Sequence, residues 1–253
     1  MTTNLVSGGM RALCDTLDDL EDLRISTENR YRALTRDVAD ADGAVRGLGL
    51  PPEHPVVVQV GKTLDLLQTQ EHQMTLAVQR EVRKSVFADW VKAQKGVGEK
   101  QAARLLASLG DPAVNESTGE FRTLRQLWAY AGYAVDGGYA RRPAKGMSQD
   151  DLFKLGSPDV KMRAYLIATS CVKALGGNYR IVYDMERVAL ADAVHASECR
   201  RCGPAGKPAL PGSPLSDGHK HARAVRKISK EVLRDLWTTA RAAHGVLDTP
   251  VSD

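Results

Sequence analysis

From Met10 onward, positions 13, 17, 20, 24, 27, 31, 34, 38, 41, 45 and 48 keep one three-four spacing and read Leu, Leu, Leu, Arg, Thr, Tyr, Leu, Val, Ala, Val, Leu. A mostly apolar seam repeating about every 3.5 residues predicts a long helix lying against a partner. Gly47, Gly49 and Pro51-Pro52 end it, because glycine loosens a helix and proline cannot continue one. A second helical pattern runs from about Val56 to Gln94, carrying Val60, Leu64, Leu67, Met74 and Val78 and, after a shift of phase, Val82, Val86 and Trp90. Two long helices around one tight turn predict an αα-hairpin over residues 1–90. Such a hairpin has no body of its own to cover its apolar stripe, so it either folds on the rest of the chain or pairs as a coiled coil. A homodimer through residues 10–90 is the expectation. Arg24 and Thr27 on the seam count against it, although a polar seam residue can also set register.

The next segment reads Lys95-Gly96-Val97-Gly98-Glu99-Lys100-Gln101-Ala102-Ala103-Arg104-Leu105-Leu106. Two glycines around one apolar residue let the backbone turn sharply and present its N–H groups. Together with the positive end of the following helix they make a site for one phosphate. Val97 should plug the turn into the core, and Ala102 and Ala103 should let two helices approach closely. This helix-hairpin-helix pattern grips a nucleic-acid backbone without reading sequence. Lys95, Gly96, Val97, Gly98, Lys100 and Arg104 are the candidate contacts. A tight helix-helix turn with no ligand uses the same chemistry.

A further helix is predicted from Thr123 through Leu124, Leu127, Trp128 and Tyr130 to Ala131-Gly132, followed by a glycine-rich loop from Asp136 to Gly146. Arg141, Arg142 and Lys145 on that loop could follow a phosphate backbone, with Tyr139 stacking on a base or sugar. An ordinary surface loop is the competing reading. Ser148 is expected to cap the helix starting at Gln149. Near the end of the chain, Val225, Ile228, Val232, Leu233 and Trp237 predict the apolar side of a helix from Ala222 to His244, with Arg223, Arg226, Lys227, Lys230 and Arg234 on its charged side.

Between these helices lies Cys199-Arg200-Arg201-Cys202-Gly203, the shape of a zinc-knuckle turn. The two arginines favour the thiolate form that a metal needs. Sixteen residues rich in proline and glycine separate Cys202 from His219-Lys220-His221. A structureless loop in a helical domain needs something to tie its ends, and Zn²⁺ on Cys199, Cys202, His219 and His221 would do so. His219 and His221 are closer in sequence than the usual finger spacing, and His195 could replace one of them. Four protein ligands leave no open position for a catalytic water, so the expected role is structural.

Composition narrows the classes. The chain has 253 residues with a formal net charge of +4, but residues 1–90 hold 10 Lys/Arg against 14 Asp/Glu and the remainder 25 against 17. A polyanion would therefore meet the second part. No run approaches the ~18 consecutive apolar residues that span a bilayer, residues 1–10 lack an export pattern, and four cysteines are too few for a disulfide framework. A cytoplasmic protein of a bacterial cell is expected, with no membrane partner.

The ordered series Lys95-Gly96-Val97-Gly98, Leu105-Leu106-Ala107-Ser108-Leu109-Gly110-Asp111 and Phe121-Arg122-Thr123-Leu124-Arg125-Gln126-Leu127-Trp128-Ala129-Tyr130-Ala131-Gly132, with His221-Ala222-Arg223-Ala224-Val225-Arg226-Lys227-Ile228 further on, resembles one domain. It is similar to the C-terminal domain of the Piv/MooV-type insertion-sequence transposases, the bridge-RNA-guided serine recombinases, over about residues 91–242. Without the rest of the enzyme it resembles the helix-hairpin-helix DNA-binding proteins of actinobacterial phages. Those transposases begin with a ribonuclease-H-like domain whose acidic residues bind metal ions. The residues ahead of Lys95 read instead as two helices. The resemblance places the family's nucleophilic serine at Asp136, and a carboxylate cannot form a phosphoserine link. The Cys/His loop, residues 195–221, has no counterpart in the family.

The expectation is an all-α protein: a helical hairpin over 1–90, a helix-hairpin-helix domain with a zinc-tied loop over 91–245, and a disordered tail over 246–253. Its function would be non-enzymatic binding of DNA or RNA. A divergent transposase or recombinase subunit and an oligomeric structural protein are the alternatives.

Overall fold

The computed structural model describes residues 4–136, 139–141, 143–200, 202–204 and 207–246. Among them the chain is all-α, with nine helices and one two-stranded hairpin. No helix of the described residues is long and apolar enough to cross a membrane. The expected tail after 246 lies outside the described residues. The chain divides into two compact units, Gly8–Glu81 and residues 82–246 joined by residues 4–7.

In the first unit, α1 (Gly8–Thr35) and α2 (Pro55–Lys84) run antiparallel: Arg24 pairs with Glu71, and Gly61 faces the Tyr31 ring. The seam holds as far as the helix does. Leu13, Leu17, Leu20, Arg24, Thr27, Tyr31 and Leu34 all lie on a covered or half-covered face, whereas Val38, Val45 and Leu48 are exposed. The helix expected to reach Gly47 stops at Thr35 because the chain folds back on it. The amides of Leu48 and Leu50 donate to the carbonyls of Ala33 and Leu34, both at 2.9 Å, which occupies acceptors a helix end otherwise leaves unpaired. A turn at Asp40–Gly43, fastened by Arg46 and Arg36 on the Asp40 and Asp42 carboxylates, makes the return. Arg24, the polar interruption of the seam, is answered inside the chain by Glu71 and Glu28.

The second helix, expected to run to Gln94, ends at Lys84. The Ser85 hydroxyl donates to the Val82 carbonyl and accepts from the Phe87 amide, a local alternative to the helical ladder. The resulting turn buries Phe87 completely. The second unit follows as α3 (Ala88–Ala93), α4 (Glu99–Leu109), α5 (Leu124–Tyr130), β1 (Val135–Asp136), β2 (Tyr139–Ala140), α6 (Gln149–Phe153), α7 (Pro158–Lys173), α8 (Asn178–Ala189) and α9 (Asp217–Ala243). Helix α9 is its axis. Val225, Ile228, Val232, Leu233, Leu236, Trp237 and Ala240 are all buried, against α3, α5, α7 and α8. Leu105, Leu106 and Leu109 of α4 are buried as well, on the helix that packs on α7.

Two buried polar networks tie this unit together. The Trp90 indole N–H donates to the Tyr179 hydroxyl (3.1 Å), which donates to Asp235 (2.6 Å). Burial, reinforced by the Asp235 charge, raises the Tyr179 pKa well above the ordinary phenol value, so the donor stays protonated. Replacing Tyr179 by Phe leaves the indole N–H without its acceptor and Asp235 without its donor. The expected cost is about 1–3 kcal/mol in a urea titration. Arg122 is likewise enclosed: it donates to the carbonyls of Val114 and Asp111 and lies over the Tyr130 ring.

Candidate metal centre and nucleic-acid surface

The Cys/His segment is short of regular structure but tied by backbone pairing. His195 exchanges hydrogen bonds with the returning strand, its amide to the Ser213 carbonyl and its carbonyl from the Gly212 amide. Cys199 pairs both ways with Ala209, and the Cys202 amide turns back to the Cys199 carbonyl. Ser216 caps α9 by accepting from the His219 amide, which sets His219 in the first turn of that helix. The result brings one ligand atom each of His195, Cys199, Cys202 and His219 within 4.8 Å of one another. His219 Nδ1 lies 3.2 Å from Cys202 Sγ and 3.9 Å from Cys199 Sγ. The His195 and His219 rings are 5.5 Å apart between centroids.

A tetrahedron with metal–sulfur bonds of ~2.3 Å and metal–nitrogen bonds of ~2.0–2.1 Å has edges of roughly 3.3–3.8 Å, close to the two His219–cysteine separations, and the widest separation within the 4.8 Å set closes by about 1 Å at most. His195 is 4% exposed and its Nε2 has no hydrogen-bond partner among the described residues. A buried ring nitrogen without a partner is costly unless something else takes its lone pair. Ser216 Oγ lies 3.0 Å from Cys202 Sγ and supports that ligand from outside the set.

The expected ligand set is corrected at one position. His221 does not join the cluster: its Nδ1 is hydrogen-bonded to the Tyr183 hydroxyl at 2.8 Å, with the rings edge to face. Two residues along a helix from His219, it points elsewhere, because only residues three or four apart share a face. His195 takes its place.

The glycine turn lies between α3 and α4. Val97 is buried, as expected of a plug. Gly96 has φ +94°, and a Cβ there would stand 2.8 Å from Cys171 Cα and from Ala174 Cβ, so that side of the turn is closed against the end of α7. Gly98 begins α4 in an extended conformation with no side-chain cap, and a Cβ there would meet open space. Glu99 follows at the mouth, held by Arg83 through two bonds of 2.6 and 2.7 Å that keep its carboxyl below the usual range. Lys95 is exposed and Lys100 half-buried. Arg104 is 5% exposed, which withdraws it from the set of surface contacts: its position on α4 faces the packed side.

A second turn of the same kind was not recognised in the sequence. Helices α7 and α8 are joined through Leu175-Gly176-Gly177, with Gly176 at φ +76° and Gly177 as the extended N-cap of α8. The two turns touch. A Cβ on Gly177 would be 3.0 Å from the Lys95 carbonyl oxygen, and Asn178 donates to Gln94 across the contact at 3.3 Å. The adjacent glycines between two helical stretches were the available signal. Lys173, just ahead of the second turn, is exposed.

The glycine-rich loop expected from Asp136 to Gly146 pairs at its start, with Val135 opposite Ala140 and Asp136 opposite Tyr139, and its described residues after Ala140 hold neither helix nor strand. Arg141 and Lys145, both after β2, are exposed. Arg142, and the side chain of Tyr139, lie outside what is described. Ser148 caps α6: it accepts from the Asp151 amide at 3.1 Å and donates to that residue's carboxylate at 2.8 Å. On α9, Arg226 donates to the Tyr133 and Ala134 carbonyls at 2.7 and 3.3 Å. The Lys230 ammonium sits 3.6 Å above the Trp128 ring. Arg223, Lys227 and Arg234 are exposed.

No protein-family model and no curated protein matches the sequence.

Proposed function

We propose that the protein binds nucleic acid through its second unit, without catalysing a reaction on it, and that Zn²⁺ on His195, Cys199, Cys202 and His219 holds that unit's Cys/His segment in place. The observation that carries the binding proposal is the pair of glycine turns, α3–α4 and α7–α8, which abut where Gly177, at the N-cap of α8, lies against Lys95 of the first turn, with Lys95 and Lys173 exposed. Helix N-termini favour anions, and that of α4 opens to free space at Gly98. The resemblance to the transposase domain and its phage relatives points to the same partner, DNA or RNA. For the metal, two thiolates and two imidazoles fit zinc best, and four protein ligands close its coordination.

A mobility-shift titration tests the binding. The dissociation constant is expected to rise at least about tenfold between ~50 and ~200 mM salt, because each neutralised phosphate releases counterions. No binding at the lower salt overturns the proposal. If light scattering then shows a multimer, the expected homodimer through residues 10–90 would stand alone as the functional element. A recombinase subunit is the weaker reading, since Asp136 stands at the family's serine position and Ser148 is occupied as a helix cap.

A further inference from the structure

The cations of α9 form a single row. Arg223, Arg226, Lys227, Lys230 and Arg234 fall on one face of the helix, linked by spacings of three and four with Arg226 and Lys227 side by side, and His219 of the metal cluster lies on the same face one turn earlier. Three pairs in it are like charges four residues apart: Arg223 with Lys227, Arg226 with Lys230, and Lys230 with Arg234. Such pairs destabilise a helix. The one carboxylate on this stretch, Glu231, is buried and reaches Lys227 and Arg234. Glu231 offsets part of the charge on Lys227 and Arg234, and the face keeps an excess of cations, five against one carboxylate between Arg223 and Arg234.

Two of the cations also fasten the row to its surroundings. Arg226 binds the carbonyls of Tyr133 and Ala134, directly ahead of β1. Lys230 is pressed on Trp128, and burial together with the charges of Arg226 and Lys227 lowers its pKa. An arriving phosphate relieves that repulsion.

The bordering aromatic rings bear on which nucleic acid fits. The Trp128 ring carries Lys230, and the Tyr133 ring carries Arg226 at 5.0 Å and Lys161 at 6.0 Å. Single strands bind by stacking bases on aromatic side chains, and the protein's own cations already stack on both rings. A straight helical row of ~16 Å, from 1.5 Å of rise per residue, suits a stiff backbone instead.

We infer that the basic row of α9 is a track for the sugar-phosphate backbone of duplex DNA. This rests on the nucleic-acid reading above and assigns it a second surface, apart from the glycine turns. The test is the 253-residue chain with both Arg223→Gln and Lys227→Gln, two exposed positions, titrated against a duplex of about 20 base pairs and its single strand at several salt concentrations. The expected result is about tenfold weaker duplex binding and a log–log salt slope smaller by about 2, one unit per lost phosphate contact. Arg223→Lys should keep the slope, which separates charge from any loss of folding. If the unaltered protein binds the duplex and the double variant matches it in affinity and slope, the track is overturned while the nucleic-acid reading stands. If the unaltered protein binds neither probe, both fall. Tighter binding of the single strand overturns the choice of duplex.

Discussion

Replacing His195 with alanine should strip the protein of zinc, whereas replacing His221 should leave it fully loaded. The two histidines flank the cysteines in sequence with comparable chemistry, and the fold separates them. His195 is buried with an unpartnered Nε2 beside the two thiols, while His221 is committed to Tyr183. Removing a residue that merely orients a ligand costs about 10- to 100-fold in metal affinity, and removing a ligand costs more. His195→Ala should therefore fall from one zinc per chain to well below one after dialysis, as read by metal analysis. His221→Ala should stay at one and lose about 1 kcal/mol from the broken hydrogen bond. Chelation should act in the same direction as His195→Ala. A metal that binds only the folded chain, at a free concentration about a thousand times its dissociation constant, contributes about 4 kcal/mol. For a chain of this size that is roughly 10 °C in Tm. Equal zinc content in His195→Ala and the unaltered protein would remove His195 from the site.

What could be read from the sequence and what could not divides along physical lines. The period of apolar residues is local, and α9 shows it at its best: Val225, Ile228, Val232, Leu233 and Trp237 were expected to face inward and all are buried. The end of α1 was hidden by the same rule. Val38, Ala41, Val45 and Leu48 keep the seam's spacing, yet the turn at Asp40–Gly43 and the returning amides of Leu48 and Leu50 stop the helix at Thr35. Competition between a helix and a fold-back of its own chain is not a matter of period. Choosing between His195 and His221 likewise required the pairing of Val194 with Pro214 and of Cys199 with Ala209, contacts that carry no periodic signature. Cations have the same difficulty. Arg104, Arg226 and Lys230 look alike as letters, but the first is enclosed and the other two are spent partly on a carbonyl pair and an indole ring.

The glycines of the first turn should separate folding from binding. Gly96→Ala forces a side chain into the left-handed region at φ +94°, which costs about 1–2 kcal/mol. Its Cβ must also displace the Cys171 backbone and the Ala174 methyl, each 2.8 Å away, and such overpacking adds about 1–3 kcal/mol. A fall of roughly 10 °C in Tm is expected at ~2–4 °C per kcal/mol, with zinc still bound to whatever remains folded. Gly98→Ala meets nothing within 4 Å and keeps an extended backbone. The poorer N-cap is offset by the smaller entropy of the unfolded chain, so its stability should change by less than about 1 kcal/mol. The same methyl, however, stands where a phosphate would approach the first amides of α4. Loss of one hydrogen bond to a charged group, about 1.5–3 kcal/mol, should weaken nucleic-acid binding at least about tenfold. The measurement is paired: denaturant midpoint and duplex affinity for each variant. Gly98→Ala with unchanged stability and unchanged affinity would mean that the turn packs two helices together and touches no phosphate.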